Sequence, residues 1–290
     1  MKKYACLITC VLIALLIPPL AAFADMGPKP SVNVSFENMP DVLCYCTLLS
    51  ADPWRGPYSV WDGKDEDARN LSDAPEDVWK KIAGYSDPDG YYFIQGPVKV
   101  VGNDESYSWG YYPPDNFKIL LYYPETDSFR VSGAVKSYAF DSYFTVDMSV
   151  TDGRVMPSGS VRRSYPVGGE IASFLIRVVI TIAVEIAVAL LFRIRDRKSL
   201  LVIAGVNVAT QVALNVVLSA VGFRAGSLYA ILIYVPLEIA VFVLETVVYA
   251  AVMKKIAEKP KGFWMAYAFL ANLASFSVGW PLAVILPEIF

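Results

Sequence analysis

The chain has 290 residues, 55% of them apolar, with a formal net charge of −3 and no histidine. Without histidine the commonest general base and the commonest metal ligand are missing, which excludes a His-dependent metalloprotease or a Ser-His-Asp hydrolase on this chain alone. Residues 25–165 hold 21 acidic against 13 basic residues, a net of −8, whereas the chain after Gly169 holds 7 acidic residues in all; this predicts one region in water and one in lipid, and argues against a nucleic-acid partner.

Lys2 and Lys3 precede an apolar run over 5–20, which Pro18-Pro19 breaks, and Ala22-Phe23-Ala24 stands before Asp25. A charged, an apolar and a small-residue region in that order predict a secretory signal over 1–24, cleaved after Ala24. An uncleaved anchor is the alternative, but the run is short for a span and the diproline interrupts it.

Residues 25–169 read as an extracytoplasmic β-rich domain. Val32, Val34 and Phe36 alternate with polar residues, the period of a strand. A turn at 38–41 leads to a strand over 42–49. A further strand is predicted over 91–101, with Gly96-Pro97 as a bulge or edge feature. Segments 117–123 and 129–135 flank the turn-forming 124–128 and predict a hairpin. A strand over 138–150 follows, then a turn at Thr151-Asp152-Gly153. One helix is predicted between the strands: Asp73 as its cap, Pro75 in its first turn, Glu76 three residues after the cap, Val78, Trp79 and Ile82 as its apolar face, and Gly84 as its end. Six or seven strands with aromatic-rich connections predict a small β-sandwich or a partly open barrel.

Within this domain Trp54, Tyr58, Trp61, Trp79, Tyr85, Tyr91, Tyr92, Tyr107, Trp109, Tyr111 and Tyr112 are dense enough to line a glycan or peptide groove, or simply to fill the core of a domain this size. Cys44 and Cys46 are the two cysteines left after signal removal. On a strand they face the same side about 6.6 Å apart, near the upper limit for a disulfide. A strained bond, a soft-metal pair and two buried free thiols are the three readings, the last the plainest. The acidic turns 62–67 and 87–90 offer hard oxygen ligands for Ca²⁺ but match no EF-hand spacing, and exposed turns use Asp for backbone bonding in any case. No metal and no cofactor are expected.

Residues 170–290 read as a four-helix transmembrane domain with spans at 171–192, 199–221, 228–253 and 263–286. Arg193, Arg195, Arg197 and Lys198 lie between the first two spans, and Lys254, Lys255, Lys259 and Lys261 between the last two. The loop 222–226 holds only Arg224, and the tail holds no base. The positive-inside bias then places loops 193–198 and 254–261 in the cytoplasm, with the β-rich domain and the C-terminus outside the cell membrane.

Glu185, Asn207, Gln211, Asn215, Glu238, Glu245 and Asn272 fall inside these apolar spans, where an unpaired polar group is costly. Counted from the cytoplasmic ends at ~1.5 Å per residue, Glu185, Asn207, Glu245 and Asn272 share one layer about 12–15 Å in. Asn215 and Glu238 form a second layer about 24 Å in. The two hairpins also echo each other, with Glu185 and Asn207-Val208-Ala209-Thr210 in one and Glu245 and Asn272-Leu273-Ala274-Ser275 in the other, a parallel repeat. Three accounts compete for the layer: neutral Glu side chains that hydrogen-bond the helices together, a site for a proton, Na⁺ or an organic cation, and a carboxylate pair that activates water.

The chain resembles a group of membrane proteins of Gram-positive Firmicutes that has no assigned activity. The stretches that carry the resemblance are Cys46-Thr47-Leu48-Leu49-Ser50, Gly56-Pro57-Tyr58-Ser59-Val60-Trp61, Asp89-Gly90-Tyr91-Tyr92-Phe93, Tyr111-Tyr112-Pro113-Pro114, Tyr138-Ala139-Phe140-Asp141-Ser142-Tyr143-Phe144 and the Glu and Asn spans. It implies the same architecture and supplies no mechanism.

The expectation is therefore an α+β membrane protein: an extracytoplasmic β-sandwich-like domain followed by a four-helix transmembrane bundle. Its expected role is binding or sensing at the cell envelope, with membrane lipid and an envelope protein, peptide or glycan as partners and a homo-oligomer as the assembly. A small transporter or transporter subunit using the Glu/Asn layer is the first alternative, a membrane-embedded hydrolase the second.

Overall fold

The computed structural model describes residues 27–61, 74–150, 156–157, 159–257 and 259–285. The expected signal at 1–24, the acidic run 62–67, the cap Asp73, the turn 151–153 and the C-terminal tail lie outside them. The chain divides into two compact units, Pro28–Tyr165 and the chain from Pro166 onward.

The first unit is built of short strands: β1 Ser31–Glu37, β2 Tyr45–Ser50, β3 Trp54–Arg55, β4 Tyr58–Ser59, β5 Lys99–Val100, β6 Tyr107–Trp109, β7 Asn116–Tyr123, β8 Ser128–Val131, β9 Val135–Lys136, β10 Asp141–Asp147 and β11 Val161–Arg163. One sheet has the order β11-β10-β1-β6, with β1 parallel to β10 and Val34 opposite Phe144. The other has the order β5-β2-β7-β8, with β9 also on β7 and Cys46 opposite Leu121. Strands β3 and β4 pair with each other alone.

Side-chain alternation explains how these sheets pack. Val32, Val34 and Phe36 of β1, Phe144 and Val146 of β10, Cys46 and Leu48 of β2, and Phe117, Ile119 and Leu121 of β7 meet in one buried cluster between the two sheets. The other face of β2 and β7 carries Tyr45, Leu49, Leu120 and Tyr122, and these join Val78, Trp79 and Ile82 of helix α1, Glu76–Ala83. Both faces of β2 and β7 are therefore covered, which is why they read as nearly continuous apolar runs whereas β1 alternates.

Several sequence expectations shift here for local reasons. The strand expected over 91–101 shrinks to β5, plus a single bridge between Ser50 and Tyr92. A Cβ on Gly96 would lie 2.1 Å from the Trp109 ring, so the backbone passes too close for regular pairing. The Pro97 carbonyl instead accepts from Thr47 Oγ1 at 2.9 Å and Tyr107 OH at 3.0 Å. The strand expected over 138–150 begins only at Asp141, because Ser142 Oγ accepts from the Tyr138 and Ala139 amides and holds a turn. Helix α1 starts one residue after Pro75 and has no side-chain cap bond, so Glu76 occupies its first position rather than the third of a capping box.

The second unit holds four long helices: α2 Val167–Leu191, α3 Arg197–Ala225, α4 Ser227–Ile256 and α5 Lys261–Ile285. Asp196 caps α3 by accepting from the Ser199 amide at 2.8 Å. Gly226, at φ +90°, turns the chain from α3 into α4. The helices form a closed ring in which α2 packs on α3, α3 on α4, α4 on α5 and α5 on α2. Among the described residues α2, α3 and the Ser227–Met253 part of α4 are long and apolar enough to cross a membrane. Three of the four expected spans thus qualify by length and composition.

Candidate functional site

The helical unit exposes large apolar side chains and buries polar ones among its apolar interior. On α2 the buried residues are Arg177, Thr181, Glu185 and Ala189, spaced four apart on one face, while Val179 and Leu191 are exposed at 64% and 81%. On α3 Asn207, Thr210 and Gln211 are buried, as are Glu245 on α4 and Asn272 on α5. A helix bundle in water would invert this pattern; in lipid the outer apolar face needs no cover and polar side chains find partners inside.

Glu185, Asn207, Glu245 and Asn272 come together as two clasps. In the first hairpin Asn207 Nδ2 donates to Glu185 Oε2 at 2.5 Å and to the Ile203 carbonyl one turn back at 3.1 Å. In the second, Asn272 Nδ2 donates to Glu245 Oε2 at 2.9 Å and to the Ala268 carbonyl at 3.0 Å. Thr210 and Ser275, each three residues after its Asn, both lie 3.1 Å from that Asn carbonyl. The echo between the two hairpins is therefore also an echo of hydrogen-bond geometry. The clasps are stitched together: Thr210 Oγ1 donates to Glu245 Oε1 at 2.6 Å, Asn207 Nδ2 reaches Tyr249 OH at 3.1 Å, and Tyr267 OH donates to the Glu185 backbone carbonyl at 3.3 Å.

Asn215 and Glu238 are not brought onto each other by a hydrogen bond. Asn215 Oδ1 accepts from Arg177 Nη1 at 3.1 Å, and its Nδ2 donates to the Gln211 carbonyl at 2.8 Å. Glu238 hydrogen-bonds Tyr234 and feels the charge of Arg177. Glu238 and Asn272 border a cavity of about 260 Å³ between α4 and α5, otherwise walled by apolar side chains such as Phe242, Phe269 and Phe276. Sequence reasoning missed Arg177, Tyr249 and Tyr267. The signal for Arg177 was present: it is a base inside an apolar span, eight residues before Glu185 and hence on the same helix face. The tyrosines gave none, because an aromatic in a span is ordinary.

The β-rich unit carries a different site. Trp61, Tyr85, Tyr91, Tyr92 and Phe93 line a cavity of about 200 Å³ with Asp87 and Gly90 in its wall. Under it lies a buried ion pair. Lys118 Nζ donates to Asp87 Oδ1 at 3.0 Å, to Asp87 Oδ2 at 2.8 Å and to Asp89 Oδ2 at 2.5 Å, and sits 4.9 Å from the centre of the Tyr91 ring. Asp87 Oδ2 also accepts from the Asp89 and Tyr91 amides. Burial lowers the Lys118 pKa, but the hydrogen bonds to Asp87 and Asp89 outweigh it and hold the ammonium above its ordinary value. The turn 87–90 weighed above for Ca²⁺ thus has a lysine ammonium where the cation would sit. Of the aromatic residues, Tyr58, Trp79, Tyr107 and Trp109 go into the core, whereas Trp61, Tyr85, Tyr91 and Tyr92 border the cavity.

Cys44 and Cys46 are both buried and unbonded. Both point into the core between the sheets, where burial pushes the Cys44 thiol up to about 12 and the Cys46 thiol well above its ordinary value. Neither is a thiolate nucleophile or a ready metal ligand. No family model, no curated protein and no solved structure matches this chain. The functional reading therefore rests on the two sites alone.

Proposed function

We propose that this is a multi-pass membrane protein of the cell envelope whose β-rich unit binds or senses a ligand outside the membrane. The observation that carries the reading is the aromatic cavity. Its rings offer flat apolar faces and hydroxyls, the surface on which a sugar ring or a peptide side chain stacks. The Lys118 pair holds the turn 87–90 in shape beneath it. In this reading α5 is the fourth span, the basic loops 193–198 and 254–261 face the cytoplasm, and the C-terminus lies outside. The full chain in detergent, titrated with envelope glycan fragments and short peptides, should change its tryptophan fluorescence saturably. Tyr92→Ala, at a ring that is 42% exposed, should weaken that response without unfolding the protein. No response to either ligand class would refute the reading.

A second reading, a small transporter or transporter subunit, is favoured by one observation, the Glu/Asn clasps at the centre of the helix ring. It predicts solute or cation flux in proteoliposomes that Glu185→Gln or Glu245→Gln abolishes. A membrane-embedded hydrolase has less support, because neither Glu185 nor Glu245 lines the cavities described above.

A further inference from the structure

We propose that Glu185 and Asn207 form a binding site for one proton, with Glu185 held as the neutral carboxylic acid and its Oε1–H donating to the amide oxygen of Asn207. Glu185 Oε2 already accepts from Asn207 Nδ2. The remaining oxygens of the same two groups, Glu185 Oε1 and Asn207 Oδ1, both lack a hydrogen-bond partner, although both residues are fully buried. The amide cannot simply be turned over, since its nitrogen also faces the Ile203 carbonyl, which only accepts. Two orphaned acceptors on one bonded pair are short of a single hydrogen. A carboxylic acid and a primary amide supply it by closing a ring of two hydrogen bonds, N–H to the acid carbonyl and acid O–H to the amide carbonyl. A carboxylate leaves Oε1 and Oδ1 both buried and unsatisfied, which is costly.

The equivalent carboxyl in the second hairpin is satisfied differently. Glu245 accepts on both oxygens, from Thr210 on Oε1 and Asn272 on Oε2, and has no orphan. The two hairpins thus share a clasp, but only the first leaves acceptors short of a hydrogen. The surroundings of Glu185 agree. Facing it are Asn207 from α3, Glu245, Glu238 and Tyr249 from α4, and Tyr267 from α5. Both glutamates act on it as like charges, and Arg177 offsets Glu238. The Tyr249 hydroxyl also reaches the Glu185 carboxyl and is the competing donor for Oε1.

Losing the proton sets Oε1 and Oδ1 against each other as two acceptors and opens the ring. That loosens the α2–α3 clasp and leaves the α4–α5 clasp intact. Proton occupancy is in this way coupled to the packing of the first hairpin, a means by which the helical unit responds to protonation. The inference deepens the intramembrane-site reading but needs only the buried pair, and holds whether or not the β-rich unit binds a ligand or any solute is moved.

Infrared difference spectra of the full chain in lipid bilayers at neutral pH, in H₂O and D₂O, test it directly. The expected result is a carbonyl stretch of a hydrogen-bonded neutral carboxylic acid that shifts down on deuteration. The band should lose the Glu185 component in Glu185→Gln and keep it in Glu245→Gln. Glu185→Gln should keep its melting transition, because the Gln amide donates to Asn207 Oδ1 as the acid does. Absence of the band in the unaltered protein would overturn the proposal and leave Tyr249 as the donor to Oε1. A band of unchanged intensity in Glu185→Gln, or one lost only in Glu245→Gln, would overturn it too. These readouts are independent of ligand binding and of flux, so their failure is distinct from a failure of either reading above.

Discussion

Replacing Lys118 by Met isolates the worth of a buried charge in the β-rich unit. Lys118 lies on the face of β7 that also carries Leu120 and Tyr122, and is 3% exposed, while its partner Asp87 has a fully buried side chain. Methionine keeps the apolar stem and removes the ammonium, which leaves the Asp87 carboxylate with only the Asp89 and Tyr91 amides. Removing one partner of a buried pair costs about 3–5 kcal/mol, and the two surviving amide donors place this case near ~3 kcal/mol. The exposed pair Lys81–Asp127, whose side chains are 54% and 58% accessible, serves as the control, with an expected cost of about 0–1 kcal/mol for Lys81→Met. Urea unfolding of the detergent-solubilised chain, followed by tryptophan fluorescence, measures both. Adding Asp87→Asn to Lys118→Met should recover part of the loss, since no unpaired charge then remains buried. A cost for Lys118→Met no larger than for Lys81→Met would refute the reasoning. The pair also has a pH signature. The folded protein holds Lys118 above its ordinary 10.5, so its contribution is complete below that pH and is lost as pH rises through the folded-state value. Lys118→Met should flatten this alkaline loss.

Two further expectations concern the core of the same unit. Cys44 and Cys46 should resist alkylation at neutral pH in the native protein and both react once it is unfolded, and mass spectrometry after a timed pulse of iodoacetamide checks this; rapid native labelling of either would contradict their burial as neutral thiols. Gly96→Ala puts a methyl group into the Trp109 ring and should destabilise by at least about 1–3 kcal/mol in the same urea assay; a loss under ~0.5 kcal/mol would show that the two segments separate freely.

In the helical unit, Asn272→Leu removes the amide donor to Glu245 Oε2 and leaves Thr210 on Oε1. Hydrogen bonds between helices in a membrane are worth about 0.6 kcal/mol on average and up to ~1.7, so a loss of about 1 kcal/mol is expected in a detergent-unfolding equilibrium. No measurable loss would mean that Asn272 is not part of the clasp.

Much of the architecture was legible because it depends on local periodicity. The alternation of Val32, Val34 and Phe36, the turn at 124–128 between β7 and β8, and the apolar face of Val78, Trp79 and Ile82 each report a single element and its immediate burial. Elements of two or three residues such as β3, β6 and β11 were not legible, since no period can be read from so few positions. The strand over 91–101 failed for another reason: what breaks it is the Trp109 ring against Gly96, a contact between segments that nothing local encodes.

The same division runs through the candidate sites. That polar side chains stand inside apolar helices is visible in the residues alone, and the 1.5 Å rise per residue sets Glu185, Asn207, Glu245 and Asn272 at a common depth, because depth along a helix is a matter of counting. Which groups touch depends on the rotation of each helix about its own axis, which the packing of the bundle sets. It pairs Glu185 with Asn207 and Glu245 with Asn272, bridges the pairs through Thr210 and Tyr249, and gives Asn215 to Arg177 rather than to Glu238. Packing likewise divides the aromatic residues of the β-rich unit between core and cavity, and puts Lys118 from β7 onto a turn some thirty residues earlier. Counting fixes where a side chain lies along its element; packing decides which face it shows and what it meets there.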